Sequence, residues 1–182
     1  MSDYLQLPDE QALAQASPDA LAGWLGQCVT RSWQQGVSVW PGVTCPPWWL
    51  DLRGRSAGQA HFGRGGLRFN RVLLKENPAL FLFDVVPHEM AHWFVHAVHE
   101  QDGQRVAPHG RQWKRMMQDV FLREPRVTHH FDTTRASPTP YRFTCRCSSH
   151  YLSRRRYLNT QRGGRYRCRL CQSPLVFAGS RV

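Results

Sequence analysis

An apolar stretch of the chain, residues 80–98, contains the pattern His-Glu-Met-Ala-His at positions 88–92. Because an α-helix has about 3.6 residues per turn, two histidines four positions apart lie on one helix face and can reach one metal ion. Glu89 lies about 100° around the helix from His88, where its carboxylate addresses a metal-bound water and not the metal. If these side chains were only core residues, Glu89 would be a costly unpaired buried charge. The pattern therefore predicts a zinc-binding helix with Glu89 as general base.

A catalytic zinc ion takes three protein ligands and keeps one position open, so a third ligand is needed beside His88 and His92. His96 and His99 share the same helix face, but His96 is about 12 Å along the axis from His88, too far for one tetrahedral ion. His109 comes from a separate segment and is the better third ligand on geometric grounds. A glutamate ligand, Glu100 or Glu124, would make a different class of zinc site.

His109 precedes a segment with helical spacing of apolar residues, predicted as a helix from about Pro108 to about Leu122. Because His109 is four residues before Trp113, we expect it to face the same buried side. For the remaining histidines we prefer a surface or core role: His61, His129 and His130.

The rest of the chain favours a mixed α and β structure. Ser17-Pro18-Asp19 is typical of a helix start, and that helix is expected to end near Gln35, with Gly36 as its stop. The Gly-, Pro- and Trp-rich segment that follows predicts a small antiparallel or mixed sheet. A long helix from Asn77 to about His99 should kink or start at Pro87. The predicted strands are 48–53, 59–62 and 66–69, and a short helix is predicted over 71–76.

No segment is expected to cross a membrane. The most apolar stretch, residues 80–98, contains six charged, histidine or proline residues, which a bilayer-spanning helix would not carry. The first ten residues lack the basic and then apolar pattern of a secretory signal peptide. We therefore expect a cytoplasmic protein, and nucleoid association is compatible with its charge.

The charge of the chain is strongly asymmetric. Residues 1–102 carry 7 Lys and Arg against 10 Asp and Glu, a net charge of −3, whereas residues 103–182 carry 17 against 3, a net charge of +14. From Thr133 onward there are eleven arginines and no acidic residue. Such asymmetry predicts an anionic partner, of which nucleic acid is the commonest. A basic solubilising tail and contact with an acidic protein are the competing interpretations.

Four of the six cysteines form two close pairs near the C-terminus. Cys168-x2-Cys171 is half of a zinc site, and the other half is Cys145-x-Cys147, Cys147-x2-His150 or a mixture. The 20 residues between Cys147 and Cys168 and the 17 between His150 and Cys168 both fit a structural zinc ribbon. We favour the four cysteines as ligands, with His150 as the alternative to Cys147. Reduced, unligated thiols are the competing interpretation.

Arginines and tyrosines alternate around these cysteines. Arginine suits phosphate and tyrosine suits base stacking, so we expect DNA binding, single-stranded or without sequence preference, because no base-reading helix is apparent. The candidate nucleic-acid-binding residues are Arg154, Arg155, Arg156, Arg162, Arg165, Arg167, Arg169, Tyr151, Tyr157 and Tyr166.

Several segments in a fixed order resemble the SprT family, from about residue 20 to the C-terminus. The most specific are VPHEMAH at 86–92 and VAPHGRQW at 106–113. The shorter matches are GQA at 58–60, LRFN at 67–70, LL at 73–74, and the C-terminal Tyr-Arg-Cys segment with the zinc-ribbon cysteines.

The resemblance implies an α+β fold: a zincin-like metalloprotease domain with an N-terminal helix, a small sheet and an active-site helix, followed by a small zinc ribbon. It implies His88, His92 and His109 as ligands of a catalytic zinc, with Glu89 as general base. It also implies kinship with the Spartan-type proteases, which cleave proteins crosslinked to DNA. The peptide as substrate is carried by this resemblance, since zinc-promoted attack by water does not identify it.

The sequence thus predicts a zincin-like domain over residues 1–131, a linker over 132–140 and a basic zinc ribbon over 141–182. The predicted function is a zinc metalloendopeptidase that acts on proteins at or near DNA, with one catalytic and one structural zinc. The alternative is a nucleic-acid-binding regulatory protein with a zincin fold and little or no hydrolytic activity. An intact Glu89 favours the enzyme, because a structural zinc site needs no general base.

Overall fold

The computed structural model describes residues 8–100, 106–137 and 141–180. It divides into two compact units, Met1–Ala136 and Ser137–Val182. Both combine helices with a small sheet, so the chain is α+β. Residues 132–136, which the sequence assigned to a linker, belong to the first unit, because the carbonyl of Ala136 accepts a hydrogen bond from the Gly54 N–H (3.0 Å). Residues 138–140 of that predicted linker lie outside the described residues.

Two helices begin the described chain. Helix α1 (Glu10–Gln15) was not predicted, since Leu13 is its one buried residue and it has no apolar face to detect. Helix α2 (Pro18–Val37) starts as predicted, with the Ser17 hydroxyl accepting from the Ala20 N–H. Gly36 is not its stop: the ring of Phe94 packs directly against the Gly36 backbone, where any β-carbon would collide. This glycine is therefore a packing residue.

The sheet of the first unit is mixed and has three strands, β1 (Trp48–Leu52), β2 (Gly58–His61) and β3 (Gly66–Asn70), in the order β1-β3-β2. Strand β1 is parallel to β3 and β2 is antiparallel to it, so β2 is an edge strand. A 3-10 segment, Phe62–Arg64, connects β2 to β3. All three strands lie where they were predicted, within one or two residues.

Asn70 joins the sheet to the next helix. Its side-chain oxygen accepts from the N–H groups of Val72 and Leu73 and so caps α3 (Arg71–Glu76), the predicted short helix. Its amide also donates to the carbonyl of Gly54 (3.0 Å), which satisfies this buried polar side chain.

A continuous helical run carries the His-Glu-Met-Ala-His pattern. It comprises α4 (Pro78–Leu80), a π-helical segment (Phe81–Val85), α5 (Val86–Val95) and a second π-helical segment (His96–Glu100). Pro87 is the second residue of α5, at the change from the π-helical segment to the α-helix, where its missing N–H removes one hydrogen bond from the run. The helical run does not start there, but its hydrogen-bonding pattern changes at the predicted position. Among the described residues, no helix is long and apolar enough to span a membrane.

The last helix of the first unit differs from its prediction. Helix α6 (Arg111–Arg115) continues as a π-helical segment, Met116–Val120. It starts three residues after Pro108, so His109 precedes the helix and the helical spacing assumed between His109 and Trp113 is wrong. The core of this unit joins α2, the sheet and α5; its largest fully buried side chains include Trp113, Phe69, Phe81 and Phe94.

The second unit is a three-stranded antiparallel sheet with one helix. Its strands are β4 (Tyr141–Thr144), β5 (Ser149–Leu152) and β6 (Val176–Ser180), in the order β5-β4-β6. Helix α7 (Arg154–Gln161) begins at Ser153, whose hydroxyl accepts from the Arg156 N–H (3.5 Å). The sequence showed no helix here, and α7 buries no residue, so no apolar periodicity exists to reveal it.

Candidate metal centres and active site

Three histidines of the first unit meet at one point. The Nε2 atom of His92 is 3.2 Å from that of His88 and 3.1 Å from that of His109, and the third edge of this triangle is 3.2 Å. Zinc bound tetrahedrally at about 2.0–2.1 Å separates its nitrogen ligands by about 3.3–3.4 Å. The triangle therefore has the dimensions of three zinc ligands, and it is one of two potential metal-binding groups among the described residues.

Neighbouring groups hold these imidazoles in place. His88 Nδ1 is 3.2 Å from the carbonyl oxygen of Arg126, so Nδ1–H donates there and Nε2 keeps its lone pair for the triangle. The buried indole of Trp113 packs against all three rings, with centroid distances of 4.7–5.6 Å. Its Nε1–H donates to the His88 carbonyl (3.2 Å), which ties α6 to α5.

The electrostatics of the site keep the histidines neutral. Burial lowers the pKa of His88 to about 4, with a further contribution from the charge of His109. Burial also lowers the pKa of His92 to about 3, and the pKa of His109 is lowered for the same reason. Because a metal ligand must be deprotonated, neutral imidazoles at pH 7 are in the form that binds a cation.

Glu89 lies beside the triangle with its carboxyl buried. Its Oε2 accepts a hydrogen bond from the Ala60 N–H at 2.8 Å. Burial raises its pKa to about 8, although the Ala60 hydrogen bond acts in the opposite direction. Gly58 makes room for this side chain, because a β-carbon on residue 58 would lie 2.7 Å from Glu89 Oε1. Strand β2 thus determines where the carboxyl lies.

The triangle and Glu89 line a cleft of about 910 Å³. The edge of β2 that is not paired with β3 faces this cleft, as its β2 wall, because the Ala60 N–H points to Glu89 and therefore away from β3. Four other histidines lie outside the triangle. His61 Nδ1 accepts from the Arg64 N–H, and His129 contacts the Arg55 carbonyl. His96 stacks on Phe62, and His99 packs against Trp40.

The four paired cysteines meet in the second unit. Cys147 Sγ is 3.5 Å from Cys145 Sγ and 3.6 Å from Cys168 Sγ, and all four sulfurs, including that of Cys171, lie within 4.8 Å of one another. Tetrahedral zinc with Zn–S distances of about 2.3 Å separates its sulfurs by about 3.8 Å. The cluster therefore fits a closed four-thiolate site.

His150 is adjacent to this cluster. It pairs with Phe143 across the β4–β5 hairpin, and its Nε2 is 3.1 Å from Cys145 Sγ. At this distance the ring can donate a hydrogen bond to the sulfur, as groups around a metal site commonly do. The assignment of Cys147 over His150 as a ligand stays a prediction.

The candidate nucleic-acid-binding residues are divided by the structure. Five of them line one cavity of about 780 Å³ beside α7: Arg154, Arg155, Arg156, Arg162 and Tyr166. Arg165 and Arg169 are exposed elsewhere, Arg167 donates to the Gln172 carbonyl, and Tyr151 is exposed. Tyr157 stacks on Tyr141 at a centroid distance of 4.0 Å and an angle of 4°, so its ring is already occupied.

Four residues that shape the site were not identified as such from the sequence: Gly58, Ala60, Trp113 and Arg126. The first two act through the backbone of β2, and Arg126 acts through its carbonyl oxygen, so residue type carries no signal of these roles. Trp113 was recognised only as a core residue. The resemblance at residues 58–60 predicts a strand before the active-site helix and says nothing about the position of Glu89.

Comparison with known proteins agrees with the resemblance seen in the sequence. The model of the SprT-like family matches residues 39–132. The chain is 42% identical over 127 residues to the Protein SprT of Pasteurella multocida, covering 69% of this chain and 74% of that protein. It is 36% identical over 156 residues to the Protein SprT of Vibrio atlanticus, covering 85% and 90% of the two chains. No solved structure matches it.

The family match includes β1–β3, α5 and His109, which are the elements that build the cleft. The identities over more than two thirds of the chain extend this likeness well beyond the histidine pattern. The chain therefore belongs to the SprT-like family.

Proposed function

We propose that this protein is a zinc-dependent metallopeptidase with a zincin-like catalytic unit, and that it cleaves proteins at or near DNA. The observation that carries the proposal is the triangle of His88, His92 and His109 with the buried carboxyl of Glu89 in the same cleft. Three neutral imidazoles leave one tetrahedral position open, which is the ligand pattern of catalytic zinc.

The zinc ion, when bound, supplies a Lewis acid that polarises a carbonyl group and lowers the pKa of water. Glu89 would hold the proton that a water molecule in this cleft gives up. Burial raises the pKa of this carboxyl, so its ionised form is a stronger base than an exposed carboxylate. A cation held by the three histidines would favour that ionised form. The hydrogen bond from Ala60 fixes one carboxyl oxygen and thereby orients the other.

The open edge of β2 supports a peptide as substrate. An extended peptide adds to an exposed strand through main-chain hydrogen bonds, which act on any sequence. Gly58 and Ala60 lie on that edge, next to Glu89. A polypeptide bound there presents its backbone carbonyls to the cleft in mid-chain, which favours an endopeptidase.

The second unit supports action near nucleic acid. Its arginines are unopposed by any acidic residue, and four of them surround the α7 cavity. A cavity lined by arginines suits phosphate groups, because arginine binds them with paired N–H donors. The four-cysteine cluster, with zinc, would stabilise a unit whose own core is small. We therefore assign DNA binding to this unit and catalysis to the first.

One experiment tests the proposal. Zinc would be quantified per chain, and cleavage of a DNA-bound protein would be followed with and without single-stranded DNA, for wild type and Glu89→Gln. We expect two zinc ions and cleavage that is lost in the variant, while zinc and DNA binding persist. If wild type binds two zinc ions and DNA but cleaves nothing, the protein is instead a nucleic-acid-binding regulator.

A further inference from the structure

A small aromatic surface lies at one end of the β2 wall. Phe62 follows β2 directly and is 39% exposed. Its ring stacks on His96, with centroids 3.8 Å apart and planes 16° apart, and on Trp93 at 6.5 Å and 29°. Trp93 is held in turn by a hydrogen bond from its Nε1–H to the Thr44 carbonyl (3.0 Å). The exposed part of Phe62 is thus presented on a rigid support.

One residue of this surface, Phe62, lies in the same cleft as the histidine triangle. Phe62 lines that cleft together with Glu89 and His92. Two residues of fully extended chain span at most about 7 Å, so Phe62 lies no farther than that along the chain from Ala60, whose N–H holds Glu89. This is also the spacing between one residue of an extended peptide and the next but one.

The aromatic surface offers little competing charge. Arg64, the nearest cation in the sequence, forms an ion pair with Asp51 (2.5 Å). Its guanidinium also lies over the ring of Trp49, 3.7 Å from the centroid. Because this cation is already paired on two sides, the end of the cleft at Phe62 suits an apolar group better than an acidic one.

We propose that Phe62, supported by His96 and Trp93, binds an apolar side chain of the substrate peptide and makes cleavage selective for it. The inference rests on the proposed peptidase function and names the substrate class of that site. Phe62 lies at only one end of the β2 wall, so the preference is confined to one side of the scissile bond. The residue concerned is one or two positions from that bond.

The test compares wild type with Phe62→Ala, Phe62→Leu and the control Phe83→Ala. Phe83 is 38% exposed, almost as much as Phe62, but it lies under the Arg123 guanidinium (4.9 Å) and does not line the cleft. Zinc-loaded proteins would digest a proteome-derived peptide library, and the cleavage sites would be aligned by mass spectrometry. In parallel, Glu89→Gln proteins with and without Phe62→Ala would be bound to an array of Gly-Ser decapeptides carrying one Phe, Leu, Asp or Lys.

We expect wild type and Phe83→Ala to prefer large apolar residues at one position on one side of the cleaved bond. Phe62→Ala should weaken that preference about tenfold or more, and Phe62→Leu should retain it for aliphatic side chains. In another outcome, wild type cleaves nothing while the Glu89→Gln protein binds Phe and Leu peptides in a Phe62-dependent manner. That result would support the peptide-binding surface and contradict the proposed hydrolysis.

Three results would overturn the inference. One is a cleavage profile that Phe62→Ala leaves unchanged, with hydrolysis itself intact. Another is equal loss of cleavage at all sites together with loss of zinc, which would mean a purely structural role. The third is no cleavage by wild type and no selective peptide binding by the Glu89→Gln protein.

Discussion

Gly58 and Glu89 are in such close contact that a β-carbon on residue 58 would lie 2.5 Å from Glu89 Cγ. The two residues come from different elements, the edge strand β2 and helix α5. The main chain of β2 therefore sets both the room available to the carboxyl and, through the Ala60 N–H, its orientation. The proposed metal ligands are other residues, the three histidines, so the position of the carboxyl and metal binding can be tested separately by mutation.

We predict that Gly58→Ala impairs hydrolysis without removing zinc. The new methyl group displaces the Glu89 carboxyl, and a displacement of about 1 Å costs on the order of a hundredfold in rate. kcat/KM on a protein substrate and zinc per chain would be measured side by side. Gly63→Ala is the matched control, because a β-carbon there meets nothing closer than 3.7 Å. Full activity in Gly58→Ala would mean that β2 does not position the base.

The buried carboxyl also predicts how the stability of the metal-free protein depends on pH. The pKa of Glu89 is raised from 4.5 to about 8. Its contribution to the free energy of unfolding is therefore complete below pH 4.5 and is lost as the pH rises to 8. The pKa values of His88 and His92 are lowered from 6.5. These two residues therefore reduce the free energy of unfolding as the pH falls below 6.5. Between pH 6.5 and 8 the effect of Glu89 therefore stands alone among these groups.

In this window we expect the free energy of unfolding of metal-free wild type to fall by at most about 2 kcal/mol, since one proton changes it by about 1.4 kcal/mol per pH unit. Glu89→Gln should abolish that fall. Denaturant unfolding followed by tryptophan fluorescence measures it in the first unit alone, because all seven tryptophans lie between residues 24 and 113. The same decline in Glu89→Gln would assign the effect to another group.

Much of the first unit could be predicted because its elements begin and end at recognisable residues. The three strands lie between glycine turns, and the helical run begins at Asn77-Pro78, as the sequence predicts. The approach of His109 could not be derived in the same way. It lies in a turn before α6, and its proximity to His92 depends on how Trp113 packs between the helices.

The second unit was harder to predict because few of its described side chains are buried. Helix α7 has arginines where a core helix has apolar residues, so its start at Ser153 was the only local signal. The stacking of Tyr157 on Tyr141 is likewise a tertiary contact. The sequence shows only a tyrosine among polar residues and cannot indicate this partner. The cysteine pairs were visible because metal ligands follow characteristic spacings.

For the ribbon we predict that Cys147→Ser loses the structural zinc and His150→Ala retains it. The sulfur of Cys147 lies within the four-cysteine cluster, whereas His150 contacts only its edge at Cys145. Zinc per chain would be determined in a background of His88→Ala and His92→Ala, which removes the other site. Cobalt substitution then distinguishes four thiolates from three by the intensity of the sulfur-to-metal charge-transfer band. Loss of zinc in His150→Ala with retention in Cys147→Ser would reverse the assignment.

Finally, the α7 cavity predicts which arginines bind DNA. Reversing the charge of three arginines that line this cavity should weaken binding of an oligo(dT) 20-mer by about tenfold or more. The reason is that a phosphate that the protein no longer neutralises keeps its counterion. The slope of log K against log salt concentration should fall by about 0.7 for each such phosphate. Binding would be measured by fluorescence anisotropy between about 50 and about 200 mM salt, the range over which phosphate binding changes affinity most visibly. The variant combines Arg154→Glu, Arg155→Glu and Arg162→Glu.

The control for this variant carries the same change in net charge on the same unit. Its three arginines are exposed and do not line the α7 cavity: Arg146→Glu, Arg165→Glu and Arg169→Glu. If the cavity is the binding site, the control keeps most of its affinity and salt dependence, because the arginines of the cavity are unchanged. If both variants weaken binding equally, net charge and not the α7 cavity determines the affinity of this unit for DNA.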